Sequence, residues 1–249
     1  MDKLIIITGA ARGIGLSTAK LFLEKSYRVV IVDKDKKELN RLNMKNDNLL
    51  IYYCDISIPE KNKQMIKDVI KWGKRVDVLV NNAGVADFGN IEKINYKKWR
   101  EIMKTNLDGT FLTTQNSIRY LKKTKGNIIN IASISGLRAS TLRVAYGTSK
   151  GAVIQLTQQQ AVELGEYGIR VNCVSPGPVK TKLALAVHTR DIVDAYHDAI
   201  PLNRYGLESE IADAIFFLSS KRASYITGQN IAVDGGFEAT GIGLPSLRN

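Results

Sequence analysis

A glycine-rich segment near the N-terminus joins a short apolar run to a helical pattern. The run ends at Thr8, and glycines follow at Gly9, Gly13 and Gly15. Glycines let the backbone approach a pyrophosphate closely, and the N-terminus of the next helix offers free N–H groups and a partial positive charge. The spacing differs by one residue from the commoner G-x-G-x-x-G pattern, and an ordinary glycine-rich turn is the alternative. In this strand-to-helix context the segment predicts a dinucleotide-binding α/β fold.

The rest of the chain alternates short apolar runs with longer amphipathic stretches. The apolar runs lack polar alternation, as in strands covered by helices on both faces. The predicted strands are Lys3–Thr8, Arg28–Val32, Leu49–Cys54, Val76–Val80, Asn127–Ile131, Arg170–Val174 and Asn230–Val233. The predicted helices are Ile14–Lys25, Pro59–Trp72, Trp99–Leu121, Ala145–Leu164 and Ile211–Leu218. This alternation predicts a doubly wound, mostly parallel, seven-stranded Rossmann sheet.

No linker or internal repeat divides the 249 residues, so we expect one dinucleotide-binding and catalytic domain over 1–249. The least regular region, Pro176–Pro201, reads as a loop with one or two short helices. A long insertion beside a binding site is often a lid, and we expect a substrate lid at about 178–205. Residues 238–249 are expected to form a C-terminal tail.

Composition narrows the class of protein. The net charge of +12 suggests an anionic partner, but the lysines are scattered and no nucleic-acid module surrounds them. We therefore expect no nucleic-acid site. Cys54 and Cys173 lie in apolar runs, and with only two histidines in the chain no metal site is expected. No signal-peptide core or membrane-spanning run is found, which predicts a cytoplasmic protein with no membrane partner.

A carboxylate ends the second predicted strand. Asp33 lies 18 residues beyond Gly15, near the usual distance for a residue that accepts hydrogen bonds from the adenosine ribose. A carboxylate there would repel a 2′-phosphate, so we expect NAD rather than NADP as the cofactor. Lys34 complicates this prediction, because a cation beside the ribose tolerates that phosphate. An ordinary solvated strand end is the alternative for both residues.

Two further strand ends carry candidate cofactor contacts. Asp55 follows the third strand, where a carboxylate can accept from an adenine amino group. Asn81-Asn82-Ala83-Gly84 follows the fourth strand, where small residues permit close approach and an Asn amide can tie neighbouring strand ends together. Either feature alone is also compatible with turn chemistry.

Tyr146 and Lys150 stand four residues apart, so on a helix they share a face. A nearby ammonium stabilises phenolate and is expected to lower the tyrosine pKa, which suits a general acid/base. Ser133, at the end of the fifth strand, is the candidate for holding the substrate oxygen, and Ser135 is its rival. No G-x-S-x-G elbow is present, which argues against a serine hydrolase.

Together these motifs resemble the short-chain dehydrogenase/reductase superfamily in its single-domain form, from Lys3 to Phe237. The resemblance rests on elements in family order and spacing: Thr8–Gly15, Asp55, Asn81–Gly84, Asn106, Ser133, Tyr146-x-x-x-Lys150 and Pro176-Gly177. Segments typical of the family's C-terminal part are Ile226–Gln229 and Val233–Gly236.

The resemblance implies roles for individual residues. Tyr146 would be the acid/base, Ser133 would position the substrate oxygen, and Lys150 would lower the tyrosine pKa and bind the nicotinamide ribose. Asn106 would hold a water that links Lys150 to solvent. The cofactor would be lined by Gly9, Arg12, Gly13, Ile14, Gly15, Asp33, Asp55, Ile56, Asn82, Ala83, Gly84, Tyr146, Lys150, Pro176, Gly177, Val179 and Thr181. The resemblance also suggests a homotetramer, or a homodimer, formed through the two long helices.

The resulting hypothesis is an NAD(P)-dependent oxidoreductase that acts on a CH–OH group, with a sugar, polyol or similar secondary alcohol as substrate. The alternative enzyme is a 3-oxoacyl-[acyl-carrier-protein] reductase using NADPH, and the non-enzyme alternative is a dinucleotide-binding sensor or scaffold. Ser133, Ser135 and Tyr146 are the expected substrate contacts. Further residues expected to face the substrate are Val85, Asp87, Leu137, Arg138, Arg143, Pro178 and Lys180–Pro201.

Overall fold

The computed structural model describes residues 2–181 and 189–241. Its strands are β1 (Leu4–Thr8), β2 (Arg28–Asp33), β3 (Leu49–Tyr53), β4 (Val78–Asn81), β5 (Asn127–Ile131), β6 (Arg170–Pro176) and β7 (Asn230–Val233). Its helices are α1 (Gly13–Glu24), α2 (Lys36–Arg41), α3 (Pro59–Gly73), α4 (Tyr96–Met103), α5 (Gly109–Thr124), α6 (Val144–Gly165), α7 (Arg190–Ala199) and α8 (Glu208–Ser219).

The seven strands form one sheet in the order β3-β2-β1-β4-β5-β6-β7, and every pairing is parallel. This confirms the predicted α/β class and the doubly wound Rossmann sheet. The strand order reverses between β1 and β4, so a crevice opens there at the carboxyl ends of the strands. The glycine segment leaves β1 at this crevice, and Asn82–Gly84 leaves β4 beside it.

Both faces of the sheet are buried, which explains the uninterrupted apolar runs. Successive side chains of a strand point to opposite faces. In β1, Ile5 and Ile7 pack in the cluster that contains Phe22 of α1 and Ile215 of α8. Leu4 and Ile6 of the same strand belong to a second cluster, which contains Met65 of α3. Every residue of β1 and β5 is buried.

Apart from small shifts in their bounds, the helices differ from the predicted ones in two places. The predicted helix Trp99–Leu121 is two α-helices joined by a π-helical turn at Lys104–Asp108. Helix α2 was missed because its six residues contain one apolar side chain, Leu39, and so carry no periodicity. Within the irregular region, α7 is well formed, and residues 182–188 of the predicted lid lie outside the described residues.

Beyond β7, the chain folds back over the loop that follows β5. Arg138 donates a 3.1 Å hydrogen bond to the Thr240 carbonyl and lies 3.6 Å from the Glu238 carboxylate. The remainder of the predicted tail, from residue 242, lies outside the described part of the chain. Among the described helices, none is both long and apolar enough to cross a bilayer.

Candidate active site

The glycine segment has a backbone shape that side chains would prevent. Gly9 and Gly13 adopt φ of 65° and 63°, in the left-handed region that favours glycine. A Cβ on Gly9 would lie 2.6 Å from the Cα of Ala83, and one on Gly15 would lie 2.6 Å from the Gly9 carbonyl oxygen. The backbone of this segment therefore packs directly on the end of β4 and starts α1 at the crevice.

The ends of β1 and β4 are tied together by side chains, as the Asn-Asn-Ala-Gly sequence suggested. Asn82 Nδ2 donates to the carbonyl oxygens of Thr8 (2.9 Å) and Gly9 (2.8 Å). The Thr8 hydroxyl accepts 3.1 Å hydrogen bonds from the backbone N–H groups of Asn82 and Ala83. These hydrogen bonds fix the backbone at the bottom of the crevice, where β1 and β4 end.

A carboxylate pair stands at the end of β2. Asp33 Oδ2 accepts from the backbone N–H of Ala11 (3.0 Å), and its Oδ1 accepts from the N–H of Asp35 (2.9 Å). Asp35 in turn forms a 2.8 Å ion pair with Arg12 of the glycine segment. Its other oxygen accepts from the N–H of Glu38 and so caps α2. Lys34 is exposed.

These residues line a cavity of about 570 Å³ that also includes Asp55 and Ile56. Burial raises the pKa of Asp55, but two hydrogen bonds from Ser57 and the charges of Lys34 and Lys104 outweigh it, so the pKa lies below its ordinary value. The carboxylate is ionised at neutral pH and one oxygen is already bonded. This end of the crevice thus offers hydrogen-bond acceptors of fixed position.

A second cavity, of about 430 Å³, continues from the first, and both include Asn82, Gly84 and Val85. Its remaining lining residues are Ile14, Ala86, Asp87, Phe88, Ile131, Ala132, Ser133, Ile134, Ser135, Arg143, Tyr146, Lys150, Pro176, Gly177, Pro178, Val179, Thr181 and Tyr196. The two cavities together make a groove that runs across the carboxyl ends of β3, β2, β1, β4, β5 and β6.

Tyr146 and Ser133 meet in the second cavity. Ser133 is buried at the end of β5, where its Oγ accepts a 3.2 Å hydrogen bond from the N–H of Ser135. Burial raises the pKa of Tyr146, and a hydrogen bond with Ser133 and the charge of Arg143 offset this only in part. Ser135, the other candidate serine, lies farther out, and its hydroxyl oxygen is 3.2 Å from that of Ser140.

Lys150 lies on the same face of α6 as Tyr146, one turn on. Its Nζ is 5.8 Å from the centre of the Tyr146 ring and donates a 2.7 Å hydrogen bond to the Ile131 carbonyl. Burial lowers the pKa of Lys150 to about 8. The expectation that this ammonium makes Tyr146 unusually acidic is not met in the protein alone, because burial dominates and the assisting charge is Arg143.

Asn106 sits in the π-helical turn and is buried. Its Oδ1 accepts from the N–H of Val85 (2.8 Å), and its Nδ2 donates to the Val85 carbonyl and the Ser149 hydroxyl, both at 2.9 Å. A Cβ on Gly84 would lie 3.4 Å from both Asn106 Oδ1 and Lys150 Nζ. The asparagine thus fixes the strand-end loop beside the lysine; its role in holding a water stays a prediction.

Most of the predicted site residues share the groove. Gly13, Gly15 and Asn106 do not line it; Gly15 packs against the Gly9 carbonyl, and Asn106 accepts a hydrogen bond from Val85, a lining residue. Leu137 and Arg138 do not line it either, because Arg138 reaches the C-terminal segment instead. Tyr196, within the predicted substrate-facing region Lys180–Pro201, lines the cavity. Sequence reasoning missed Phe88 as a cavity residue, and nothing in its local pattern distinguishes it from other aromatic residues. It also missed Asp35, whose N-cap position before α2 was the available signal.

The residues present fit a dinucleotide. The backbone of Gly9 lines one wall, where any Cβ would collide with Ala83, a helix N-terminus opens at the centre, and a carboxylate stands at the end of β2. At the other end, a tyrosine hydroxyl, a serine hydroxyl and a buried ammonium converge. Such an arrangement can hold an extended cofactor and move one proton at a bound oxygen.

Comparison with known proteins agrees with this geometry. The family profile described as "Enoyl-(Acyl carrier protein) reductase" matches residues 9–238. L-fucose dehydrogenase of Oryctolagus cuniculus is 36% identical over 242 residues, which cover 95% of this chain and 85% of that protein. The 3-oxoacyl-[acyl-carrier-protein] reductase FabG of Staphylococcus epidermidis is also 36% identical, covering 95% of this chain and 99% of the relative.

Among solved structures, ElxO with NADP bound superposes with a TM-score of 0.90 at 30% identity, covering 96% of this chain and all of that one. The sheet order, the Tyr-x-x-x-Lys helix and these relatives lead to one conclusion. The chain belongs to the short-chain dehydrogenase/reductase family of oxidoreductases.

Proposed function

We propose that this protein interconverts a secondary alcohol and its ketone, with Tyr146 as the general acid/base. The observation that carries the proposal is the meeting of the Tyr146 and Ser133 hydroxyls and the Lys150 side chain in one cavity that continues into the glycine-lined groove. When bound, the cofactor supplies hydride transfer at its nicotinamide ring. The protein supplies orientation and the proton.

In the oxidation direction, Ser133 holds the substrate oxygen and Tyr146 takes its proton. In the reduction direction, Tyr146 donates that proton to the carbonyl oxygen. Burial raises the pKa of Tyr146 in the protein alone, so the phenol is protonated there, which is the form that donates in the reduction direction. The oxidation direction requires phenolate. A cationic group close to the phenol oxygen favours phenolate, and we assign this role to the Lys150 ammonium, which lies 5.8 Å from the centre of the Tyr146 ring.

We assign the cofactor contacts named from the sequence to the groove. Gly9, Arg12, Asp33, Asp55, Ile56 and Ala83 would line the adenosine half, and Ile14, Pro176, Gly177, Val179 and Thr181 the nicotinamide half. Asn82 and Gly84 belong to both cavities. Lys150 would bind the nicotinamide ribose, since its ammonium lies at the end of β5 where the two halves meet.

For the cofactor, we propose NAD. The support is that Asp33 projects at the end of β2 and that Arg12, the cation best placed for a 2′-phosphate, is already paired with Asp35. The NADP bound in ElxO argues for the other choice. A 3-oxoacyl-[acyl-carrier-protein] reductase using NADPH is therefore the second candidate, favoured by the similarity to FabG. The similarity to L-fucose dehydrogenase supports a sugar or another polyol as substrate.

We propose that the protein is a cytoplasmic homotetramer. The exposed apolar side chains Phe111 of α5 and Val162 of α6, which are 45% and 81% exposed, support association through these helices. Both cysteines are free and buried, which supports a reducing compartment. Sedimentation equilibrium of the wild-type protein and a Phe111→Glu, Val162→Glu variant tests the assembly: the variant should be smaller.

The function is tested with a panel of sugars, polyols, other secondary alcohols and their ketones, each assayed with NAD(H) and NADP(H) by nicotinamide absorbance. Turnover of at least one pair is expected, and Tyr146→Phe should lower kcat by about 10²–10⁴-fold. Nicotinamide fluorescence should show unchanged cofactor affinity in that variant. Binding of a dinucleotide with no turnover anywhere in the panel would instead favour a sensor, and undiminished kcat in Tyr146→Phe would remove the tyrosine from the mechanism.

A further inference from the structure

The substrate half of the groove contains a cation that the proposed reaction does not require. Among the described residues that line the 430 Å³ cavity, Arg143 and Lys150 carry positive charge. The Lys150 ammonium is bonded to the Ile131 carbonyl. Arg143 stands three residues before Tyr146, at the start of α6, and faces the same cavity. Its charge is therefore available where a substrate would lie.

Aromatic rings hold this guanidinium in place. Its Cζ lies 3.7 Å from the centre of the Phe88 ring and 5.3 Å from the centre of the Tyr146 ring. The backbone adds support, because the N–H of Gly89 donates a 2.9 Å hydrogen bond to the Leu142 carbonyl. Stacking of a guanidinium on a ring uses its flat face and leaves the N–H groups at its edge free to donate.

No protein carboxylate neutralises Arg143 within residues 2–181 and 189–241, where its side chain makes neither an ion pair nor a hydrogen bond. Segments 182–188 and 242–249 contain no Asp or Glu. By contrast, Arg12 pairs with Asp35 and Arg204 with Glu210. Asp87, the one acidic residue among the described lining residues, lies 3.8 Å from the ammonium of Lys98.

We propose that the substrate carries an anionic oxygen group, a carboxylate close to the carbinol carbon, and that Arg143 binds it. This inference rests on the proposed function and narrows its substrate class to short hydroxy acids and their oxo acids. The 5.3 Å between the guanidinium carbon and the Tyr146 ring centre places the anion near the reacting oxygen. An Arg–carboxylate contact there would be charge-assisted and, with two N–H groups, bidentate.

The reaction balances as an ordinary two-electron exchange. The hydroxyl O–H bond breaks and its proton passes to Tyr146, while the carbinol C–H bond breaks and its electron pair leaves as hydride to the oxidised dinucleotide. A carbon–oxygen double bond forms between the carbinol carbon and the former hydroxyl oxygen. The products are an oxo acid, the reduced dinucleotide and one proton. The carboxylate is unchanged throughout, so it serves for recognition and orientation.

The test compares acetoacetate with methyl acetoacetate, two ketones of the same skeleton of which one is anionic. The kcat/KM values are measured with the reduced dinucleotide for the wild type, Arg143→Gln, Arg143→Lys and a control, Arg138→Gln. Arg138 is an exposed arginine of the same loop that contacts Thr240 and Glu238. Far-ultraviolet circular dichroism and thermal unfolding establish that each variant is folded.

We expect the wild type to prefer acetoacetate by at least about tenfold. Arg143→Gln should lose about 10- to 100-fold on acetoacetate, as for removal of a charge-assisted hydrogen bond, and less than about threefold on the ester. Arg143→Lys should recover part of the loss, and Arg138→Gln should match the wild type. A wild-type preference for the ester, or equal losses on both ketones in Arg143→Gln, would overturn the proposal, the latter because Arg143 would then act on Tyr146 rather than on the substrate.

A binding measurement separates this inference from the proposed function. Malonate, which has no reducible ketone, is titrated calorimetrically into the protein saturated with reduced dinucleotide. Binding to the wild type and Arg138→Gln, with at least tenfold weaker binding to Arg143→Gln, supports the anion site even if neither ketone is turned over; absence of turnover would then count against the proposed function alone. Equal or absent malonate binding in the wild type and Arg143→Gln overturns the anion site.

Discussion

The ammonium group of Lys150 donates a 2.7 Å hydrogen bond to the carbonyl oxygen of Ile131, the last residue of β5. This bond crosses from a helix to the end of a strand and fixes the ammonium over the groove. The side chain is buried, so its charge is poorly solvated, and the pKa of Lys150 falls to about 8. Holding the Lys150 ammonium at this buried position therefore lowers the free energy of unfolding near neutral pH.

Replacement of Lys150 by Met should change how stability depends on pH. The folded protein releases the Lys150 proton near pH 8, whereas the unfolded chain holds it up to the ordinary pKa of 10.5. Between these values the unfolded state binds more protons, so this group makes folding more favourable as pH rises. Lys150→Met removes that dependence. The free energy of unfolding of the variant should exceed that of the wild type by on the order of 1–3 kcal/mol at pH 7.5, and this difference should shrink towards pH 10.

Urea unfolding of both proteins at several pH values measures this difference, and taking the difference cancels titrating groups that do not interact with Lys150. Burial raises the pKa of Cys54 to about 11, for example, which opposes the lysine effect in each protein equally. The pKa of Cys173 is also raised to about 11 by burial but is lowered in part by the Lys150 charge, so its contribution belongs to the measured difference. The variant should also lose most of its turnover. A stability difference between Lys150→Met and wild type that is constant over pH 7.5–10 contradicts the assignment of a lowered lysine pKa.

The pairing of Arg12 with Asp35 should govern the choice between NAD and NADP. In Asp35→Asn, Arg12 loses its 2.8 Å ion pair and becomes free to contact a 2′-phosphate. Asn retains the N-cap of α2, because its side-chain oxygen can still accept from the N–H of Glu38. The ratio of kcat/KM for NADP to that for NAD should rise about tenfold, as for one charge-assisted contact.

Glu38→Gln is the matched control for that experiment, because Glu38 pairs with Arg41 and its loss leaves the Arg12–Asp35 pair intact. Its cofactor ratio should equal that of the wild type. If Asp35→Asn leaves the ratio unchanged while remaining folded, Asp33 alone decides cofactor choice and the ion pair is incidental.

Several elements were predictable because local patterns decide them. Strands buried on both faces favour apolar runs, as in β1, where Leu4–Thr8 is buried throughout. β5 and β7 begin and end where the sequence predicted, although Asn130 interrupts the apolar run of β5 and β7 is half-buried. The Tyr146 and Lys150 side chains share one face because their spacing matches a helical turn. The glycine segment was recognisable since tight backbone approach at Gly9 excludes any other residue type.

Other features depend on residues distant in sequence. The raised pKa of Tyr146 comes from burial, and neither its cause nor its sign can be read from the Tyr-x-x-x-Lys spacing. Arg138 points to Thr240, more than 100 residues away in sequence, whereas Arg143 from the same loop lines the cavity. The π-helical turn around Asn106 was not predictable because its stabilising partner, Val85, lies in a loop with no regular pattern.

Asn106 should contribute more to the free energy of unfolding than a polar residue usually does. Asn106→Leu leaves the N–H and carbonyl of Val85 and the hydroxyl of Ser149 without their present partner. A fully buried group left unpaired costs about 1–3 kcal/mol. The Val85 groups are half-buried and the Ser149 hydroxyl keeps its hydrogen bond to the Tyr146 carbonyl, so each costs near or below the lower end of that range, and we expect a total loss of about 2–4 kcal/mol in the free energy of unfolding. Ser149→Ala, which removes one of the three bonds, should cost about 1 kcal/mol. Equal losses in the two variants, measured by urea unfolding, would contradict this view of Asn106 as the anchor of the strand-end loop.

Two glycines with nearly the same backbone angle should respond differently to alanine. Gly9 and Gly13 have φ of 65° and 63°, so each alanine carries about 1 kcal/mol of backbone strain. At Gly9 the new Cβ would also lie 2.6 Å from the Ala83 Cα, a backbone atom that cannot move alone, whereas at Gly13 its nearest neighbour is Glu208 Oε1 at 3.8 Å. Gly9→Ala should therefore lose about 2–4 kcal/mol of stability and bind the dinucleotide at least tenfold more weakly, while Gly13→Ala loses about 1 kcal/mol. Thermal unfolding and fluorescence titration measure both effects, and similar stability losses in the two variants would mean that the loop relaxes away from β4 instead of resting against it.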